Sequence, residues 1–148
     1  MPENLNAQML QAIGFLLNLF IVNEERFPSA EGRIRYNPID FQTLRYIERA
    51  PGCRGVDIAR ALGVAPTTLQ SALDRLIKKG WVERHDHPTS KRAKAHSLTE
   101  AGQELRASIH RQDLANMDVM LAALSPQEQK QAVALMGKIA AHLQQHQN

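Results

Sequence analysis

The chain has a single cysteine, Cys53, among its 148 residues, so no intramolecular disulfide holds it together. That usage fits a reducing cytoplasm. It leaves Cys53 as either a redox sensor or a small, partly buried residue near a turn. Aromatic residues make up only 5% of the chain, so a core must rest mainly on Leu, Ile, Ala, Val and Met. Long apolar runs are also missing. The most apolar stretch, MLQAIGFLLNLFIV at residues 9–22, is interrupted by Gln11 and Asn18 and falls short of the roughly 20 residues of a membrane-spanning helix. Glu3, and the lack of Lys or Arg before Arg26, argue against a secretory signal, so a cytoplasmic protein is expected. There is no phosphate-binding loop, dinucleotide glycine fingerprint, HExxH or GxSxG. Neither enzymatic activity nor a bound cofactor is expected.

The positive charge is localised. Residues 51–99 hold nine Lys/Arg against four Asp/Glu, whereas residues 1–50 and 100–148 are each slightly acidic. A concentrated basic field points to a polyanion partner more strongly than the net charge of +3 does. An ordinary solvated surface remains the alternative at this point.

The pattern predicts a mainly α chain with one small β-hairpin. Leu5, Met9, Ile13, Leu16, Leu17 and Phe20 mark a helix over 4–27, with an apolar stripe too broad for a lone surface role. Asn37-Pro38 caps and opens a second helix. A short helix over Val56 to Leu62 closes at Gly63. Pro66 starts the next, with Thr67 and Thr68 expected to help satisfy its open end, because Ala65 is a poor cap. Trp81 to Arg84 and Ala95 to Leu98 read as strands around a Pro88-Thr89-Ser90 turn. Thr99 then caps a long helix, and Ser125-Pro126-Gln127-Glu128 forms a capping box for the last one.

The informative unit is residues 56–99. DIARALGVAPTTLQSALDRL places Ile58, Ala59, Leu62, Leu69, Leu73 and Leu76 inward, with Val64 plugging a tight glycine turn, as in a helix-turn-helix. Pro66, Thr67, Thr68, Gln70, Ser71, Asp74, Arg75 and Lys78 are left on outward or edge positions. Hydroxyls, an amide and threonine methyls can meet base edges in a major groove. A solvated helix face favours the same residue types. The basic hairpin that follows completes a winged-helix arrangement, far more specific than either half. Lys91, Arg92 and Lys94 could there reach phosphates or a narrow minor groove.

These segments resemble the MarR family of bacterial regulators over nearly the whole element order. Leu76-Ile77-Lys78-Lys79-Gly80, Pro88, Arg92 and Leu98-Thr99-Glu100-Ala101-Gly102 match the family pattern. Where the family's wing carries two aspartates, this chain has His87 and Ser90, and the wing's first arginine becomes Lys91. Ser71 stands where many members carry arginine. The aspartate equivalent to Ser90 looks like an orienter of nearby arginines; serine can hydrogen-bond but cannot form that ion pair.

The expected architecture is a winged helix-turn-helix DNA-binding domain over residues 34–98. Residues 1–27 and 99–148 form a helical dimerisation region. The expected function is sequence-specific transcriptional regulation by a homodimer, most simply repression, at an inverted-repeat operator in duplex DNA. The two recognition helices would lie about 34–36 Å apart or a multiple of that. The resemblance further implies a small, often aromatic effector, with Phe15, Tyr36, Phe41, Arg45 and Tyr46 as candidate lining residues; core packing accounts for those aromatics equally well. His85 and His87, alternating on a strand, are weak metal-ligand candidates and open the alternative of a metal-responsive regulator. A winged-helix module that binds a protein and never touches DNA is the other alternative.

Overall fold

The computed structural model describes residues 4–22 and 37–146. Its elements are α1 (Leu5–Val22), α2 (Pro38–Arg49), β1 (Cys53–Arg54), α3 (Gly55–Leu62), α4 (Pro66–Lys78), β2 (Val82–Asp86), β3 (Lys94–Leu98), α5 (Glu100–Leu121) and α6 (Pro126–Gln145). None of the described helices is long and apolar enough to cross a membrane.

Local chemistry sets the helix ends. Asn37 Oδ1 accepts from the amides of Ile39 and Asp40 at 3.0 and 3.3 Å, and Pro38 supplies a first helical position that needs no amide partner. Gly63, at φ 66°, closes α3 in the left-handed conformation. At α5, the Thr99 hydroxyl accepts from the Gly102 amide at 3.0 Å. The Ser125–Glu128 capping box forms as expected, with both reciprocal bonds present. The start of α4 differs: no side chain caps it. Neither Thr67 nor Thr68 takes that role, and the Ser71 hydroxyl instead donates back to the Thr67 carbonyl at 3.1 Å.

The three strands form an antiparallel sheet in the order β1-β3-β2. Val82 lies opposite Leu98 and Asp86 opposite Lys94 in the hairpin, while Cys53 lies opposite His96. The hairpin follows the expected pattern with slightly different ends. The first strand was not legible in the sequence, because two residues are too short to show alternation.

The chain divides into two compact units, Met1–Gln112 and Asp113–Asn148. The first holds the core: Leu44 and Ile47 of α2, Ile58 and Ala59 of α3, Leu69, Leu73 and Leu76 of α4, Val82, Leu98, Leu105 and Ile109. Leu62 and Val64 pack against it half-buried. Burying one such Leu or Ile stabilises by about 1.5–3 kcal/mol, so this cluster fixes the orientation of α4. Helix α1, in the same unit, exposes Leu5, Met9, Leu10, Ile13, Phe15, Leu16 and Leu17, with Leu5 at 75%. The second unit comprises the end of α5 together with α6. Helix α6 has no buried residue, and Val133, Leu135, Met136 and Leu143 are all exposed in the single chain.

Candidate nucleic-acid interface

The face of α4 directed away from the core carries Pro66, Thr67, Thr68, Gln70, Ser71, Asp74, Arg75 and Lys78, all exposed. Leu69, Ala72, Leu73 and Leu76 hold the opposite face inside. The helical repeat therefore puts Thr67, Gln70, Ser71, Asp74 and Lys78 on one continuous outward strip. The uncapped first turn leaves its amides without a side-chain acceptor, an arrangement that suits an approaching phosphate.

Arg75 is less free than its position on the helix implies. Its Nη2 and Nε donate to the two carboxylate oxygens of Asp40 at 2.8 and 3.3 Å. Asp40 is nearly buried at the start of α2, so this fork ties α4 to α2. The hydrogen bond to Asp40 raises the Arg75 pKa further.

A second fork braces the start of α3, where Arg54 donates to both oxygens of Asp57 at 3.0 Å. The same contact holds the Asp57 carboxyl below its ordinary range.

In the wing, Lys94 pairs with Asp86 directly across the hairpin, and that hydrogen bond lowers the Asp86 pKa. Its charge is thus locally answered. Lys91 and Arg92, by contrast, sit exposed on the tip and make no ion pair among the described residues. They are the wing's available cations.

Strand β2 ends at Asp86, so His85 and His87 do not share a strand face as expected. His85 is exposed on β2, and His87 has turned into the wing loop. The His87 amide donates to the Ala93 carbonyl at 3.3 Å, and its ring Nδ1 accepts from the Thr89 amide at 3.3 Å. This i to i+2 acceptor role is the one an aspartate plays in an Asx-turn. It accounts for a histidine where the resembling family has aspartate. Among the described residues, no group of three His, Cys, Asp or Glu could hold a metal ion.

Two residues not singled out from sequence, Arg84 and His96, join the interface. Arg84 on β2 donates from Nη2 to Asp74 Oδ1 at 3.2 Å and from Nε to His96 Nε2 at 3.4 Å. Gln70 Nε2 donates to the same Asp74 oxygen at 2.9 Å. His96 Nδ1 lies 3.1 Å from the Cys53 carbonyl. The i, i+4 spacing of Gln70 and Asp74 was the one signal available in the sequence. The reach of Arg84 to α4 also shows that wing and helix are contiguous.

Of the effector candidates, Phe41 and Tyr46 are half-buried against the core, Arg45 is exposed on α2 and Phe15 is exposed on α1. Tyr36 lies outside the described residues. Cys53 is half-buried in β1, and desolvation pushes its pKa up to about 11. Its thiol stays protonated near neutral pH, which removes the nucleophile a redox sensor needs.

A MarR family sequence model matches residues 36–93, the span from the start of α2 through the wing. The transcriptional regulator PecS of Dickeya dadantii is 24% identical over 95% of this chain and 86% of its own. The structure of Streptococcus pneumoniae FabT in complex with DNA is similar at a TM-score of 0.72 and 22% identity, covering 95% of this chain and 93% of that one. The PcaV regulator of Streptomyces coelicolor, solved with its natural ligand, is similar at a TM-score of 0.60 and 20% identity, over 95% and 92%. Matched segment, element order and sheet topology converge on a winged-helix fold, and over residues 36–93 the chain is similar to the MarR family.

Proposed function

We propose that this protein binds an inverted-repeat operator in duplex DNA as a homodimer and represses transcription until a small effector releases it. The observation that carries the reading is the exposed polar strip of α4 beside a hairpin tip with two uncommitted cations, Lys91 and Arg92. The strip would enter the major groove, and the tip would meet phosphates or the adjacent minor groove. Thr67, Thr68, Gln70 and Ser71 would then supply base contacts, with Pro66 fixing the helix entry. Arg75 and Lys94, each held by a carboxylate, would chiefly keep helix and wing in shape.

Dimerisation is supported by the apolar residues of α1, α5 and α6. Leu10 and Met136 are 73% and 65% exposed in the single chain, and several others are comparably open. Apolar surface on this scale marks an interface, and a second copy of the same helices is the simplest self-complementary cover. An effector would act by favouring a dimer whose recognition helices are wrongly spaced. The complex of PcaV with its natural ligand supports, by likeness, the binding of a small molecule. A DNA-bound regulator of this kind would work in the cytoplasm.

The test is a gel shift with genomic fragments over a range of salt, alongside the molar mass in solution. A dimer that binds selected fragments, with affinity falling steeply as salt rises, is expected. A folded dimer that shifts no fragment at low salt overturns DNA binding. A monomeric species that binds DNA overturns only the dimer.

A further inference from the structure

We propose that Asp74, anchored from the sheet by Arg84 and His96, is a positioning residue for DNA reading: it holds the Gln70 amide in one orientation and thereby makes Gln70 select adenine. The proposal rests on the reading of α4 as the recognition helix and deepens it.

The chain of contacts has only one consistent assignment of protons. The Cys53 carbonyl can only accept, so His96 Nδ1, 3.1 Å away, carries the hydrogen. In the neutral ring, Nε2 is then a bare lone pair. It faces Arg84 Nε, which can only donate, at 3.4 Å. His96 is buried, and burial lowers its pKa, consistent with that neutral ring. The guanidinium so placed directs Nη2 to Asp74 Oδ1 at 3.2 Å. That oxygen also accepts from Gln70 Nε2 at 2.9 Å.

A carboxylate has no hydrogen to give, so the nitrogen end of the Gln70 amide must face Asp74. The two ends of a free glutamine amide exchange by rotation about a soft terminal torsion. Here that exchange would bring the Gln70 oxygen against the Asp74 oxygen, and it is suppressed. Gln70 therefore presents a carbonyl oxygen and one remaining N–H in a fixed order. An ordered acceptor and donor complements adenine N6 and N7 in the major groove. Guanine shows two acceptors there and thymine one, so neither meets the carbonyl with a hydrogen, and cytosine offers a hydrogen from N4 but no acceptor for the remaining N–H. A bare i, i+4 pair would stabilise the helix without fixing which end points where, if its acceptor were itself mobile. The second hold on Asp74, from a different element, removes that mobility.

The experiment uses the full-length protein and an operator obtained by selection from genomic fragments. Four versions of each candidate base pair are compared by competition, for wild type, Gln70→Ala, Asp74→Ala, Asp74→Asn and Arg84→Ala, with thermal melts of every variant. At the pair where Gln70→Ala abolishes preference, wild type is expected to favour adenine by about tenfold. Asp74→Ala and Asp74→Asn should bring that preference to within about twofold there, leaving other pairs and the salt slope unchanged. Asparagine nearly matches the shape of aspartate but can donate as well as accept, so it permits both amide orientations. Arg84→Ala should act in the same direction. A merely structural role would lower affinity evenly across all four versions, and that outcome overturns the proposal. So does full retention of the adenine preference in both Asp74 variants, or a wild-type preference for guanine, thymine or cytosine at that pair. Sequence-specific binding whose preferences Gln70→Ala leaves intact overturns the proposal while leaving DNA binding standing. Absence of sequence-specific binding by wild type overturns the recognition-helix reading as well.

Discussion

Gly102, in the first turn of α5, lies so close to Trp81 that a Cβ added to it would fall 2.0 Å from the Trp81 carbonyl oxygen. The approach is secured on either side. The Thr99 amide donates to that same carbonyl at 3.0 Å, and the Thr99 hydroxyl donates to the Gly80 carbonyl at 2.6 Å. The end of α4, the start of β2 and the start of α5 thus share one joint. Gly102→Ala would gain up to about 1 kcal/mol of helix propensity but must push backbone against backbone, at a penalty of about 1–3 kcal/mol or more. A net loss of stability is expected, read as a thermal midpoint several degrees below wild type. An unchanged or raised midpoint would mean the joint opens freely.

The Asp40–Arg75 fork joins residues 35 apart in sequence. Arg75→Ala leaves a nearly buried carboxylate without its partner. The Arg75 side chain is 48% exposed, so solvent screens part of the attraction. A double-mutant cycle with Asp40→Ala, followed by urea unfolding, should give a coupling of about 1 kcal/mol. A coupling of zero would return Arg75 to the set of residues free to contact DNA.

His96 gives the first unit a pH dependence of definite sign. Burial lowers its folded-state pKa from the ordinary 6.5, so at mildly acidic pH the unfolded chain binds a proton that the folded chain refuses. Stability is therefore intact above pH 6.5 and falls as pH drops below it. Thermal melts from pH 8 to 5.5 should show a steeper decline for wild type than for His96→Gln. Parallel declines would show that His96 takes up its proton as readily in the folded chain as in the unfolded one.

Cys53 should behave as an inert thiol. A pKa of about 11, against the ordinary 9.0, reduces the thiolate roughly 100-fold at neutral pH. Its reaction with a disulfide reagent should be slower than that of the unfolded chain by at least about that factor. Equal rates in the native and denatured protein would contradict the burial described.

On the wing, Arg92→Ala is expected to weaken binding to all DNA sequences alike and to lower the salt slope by about 1, as loss of one phosphate contact does. Lys94→Ala should do less to that slope, because Asp86 already answers its charge. An equal effect of the two would mean that the Lys94–Asp86 pair breaks on binding.

The winged-helix arrangement was legible in the sequence because its signals are local. Asn37-Pro38, Gly63, Thr99 and Ser125 with Glu128 each act within one helical turn, and the alternation of inward leucines in α4 needs no partner outside the helix. The sequence by itself thus determined the order and type of the described elements other than β1, the polar outward face of α4 and the basic tip. Tertiary structure alone decided which charges remain available and which side chains are held. Arg75 is claimed by Asp40, Lys94 by Asp86 and Asp74 by Arg84, while Lys91 and Arg92 make no ion pair among the described residues. It also added β1, too short to carry a period, and moved His87 off the strand into the turn. Helix propensity and capping are summed over neighbours along the chain. Pairing of charges and burial of a histidine depend on groups that only the folded backbone brings within 3 to 4 Å.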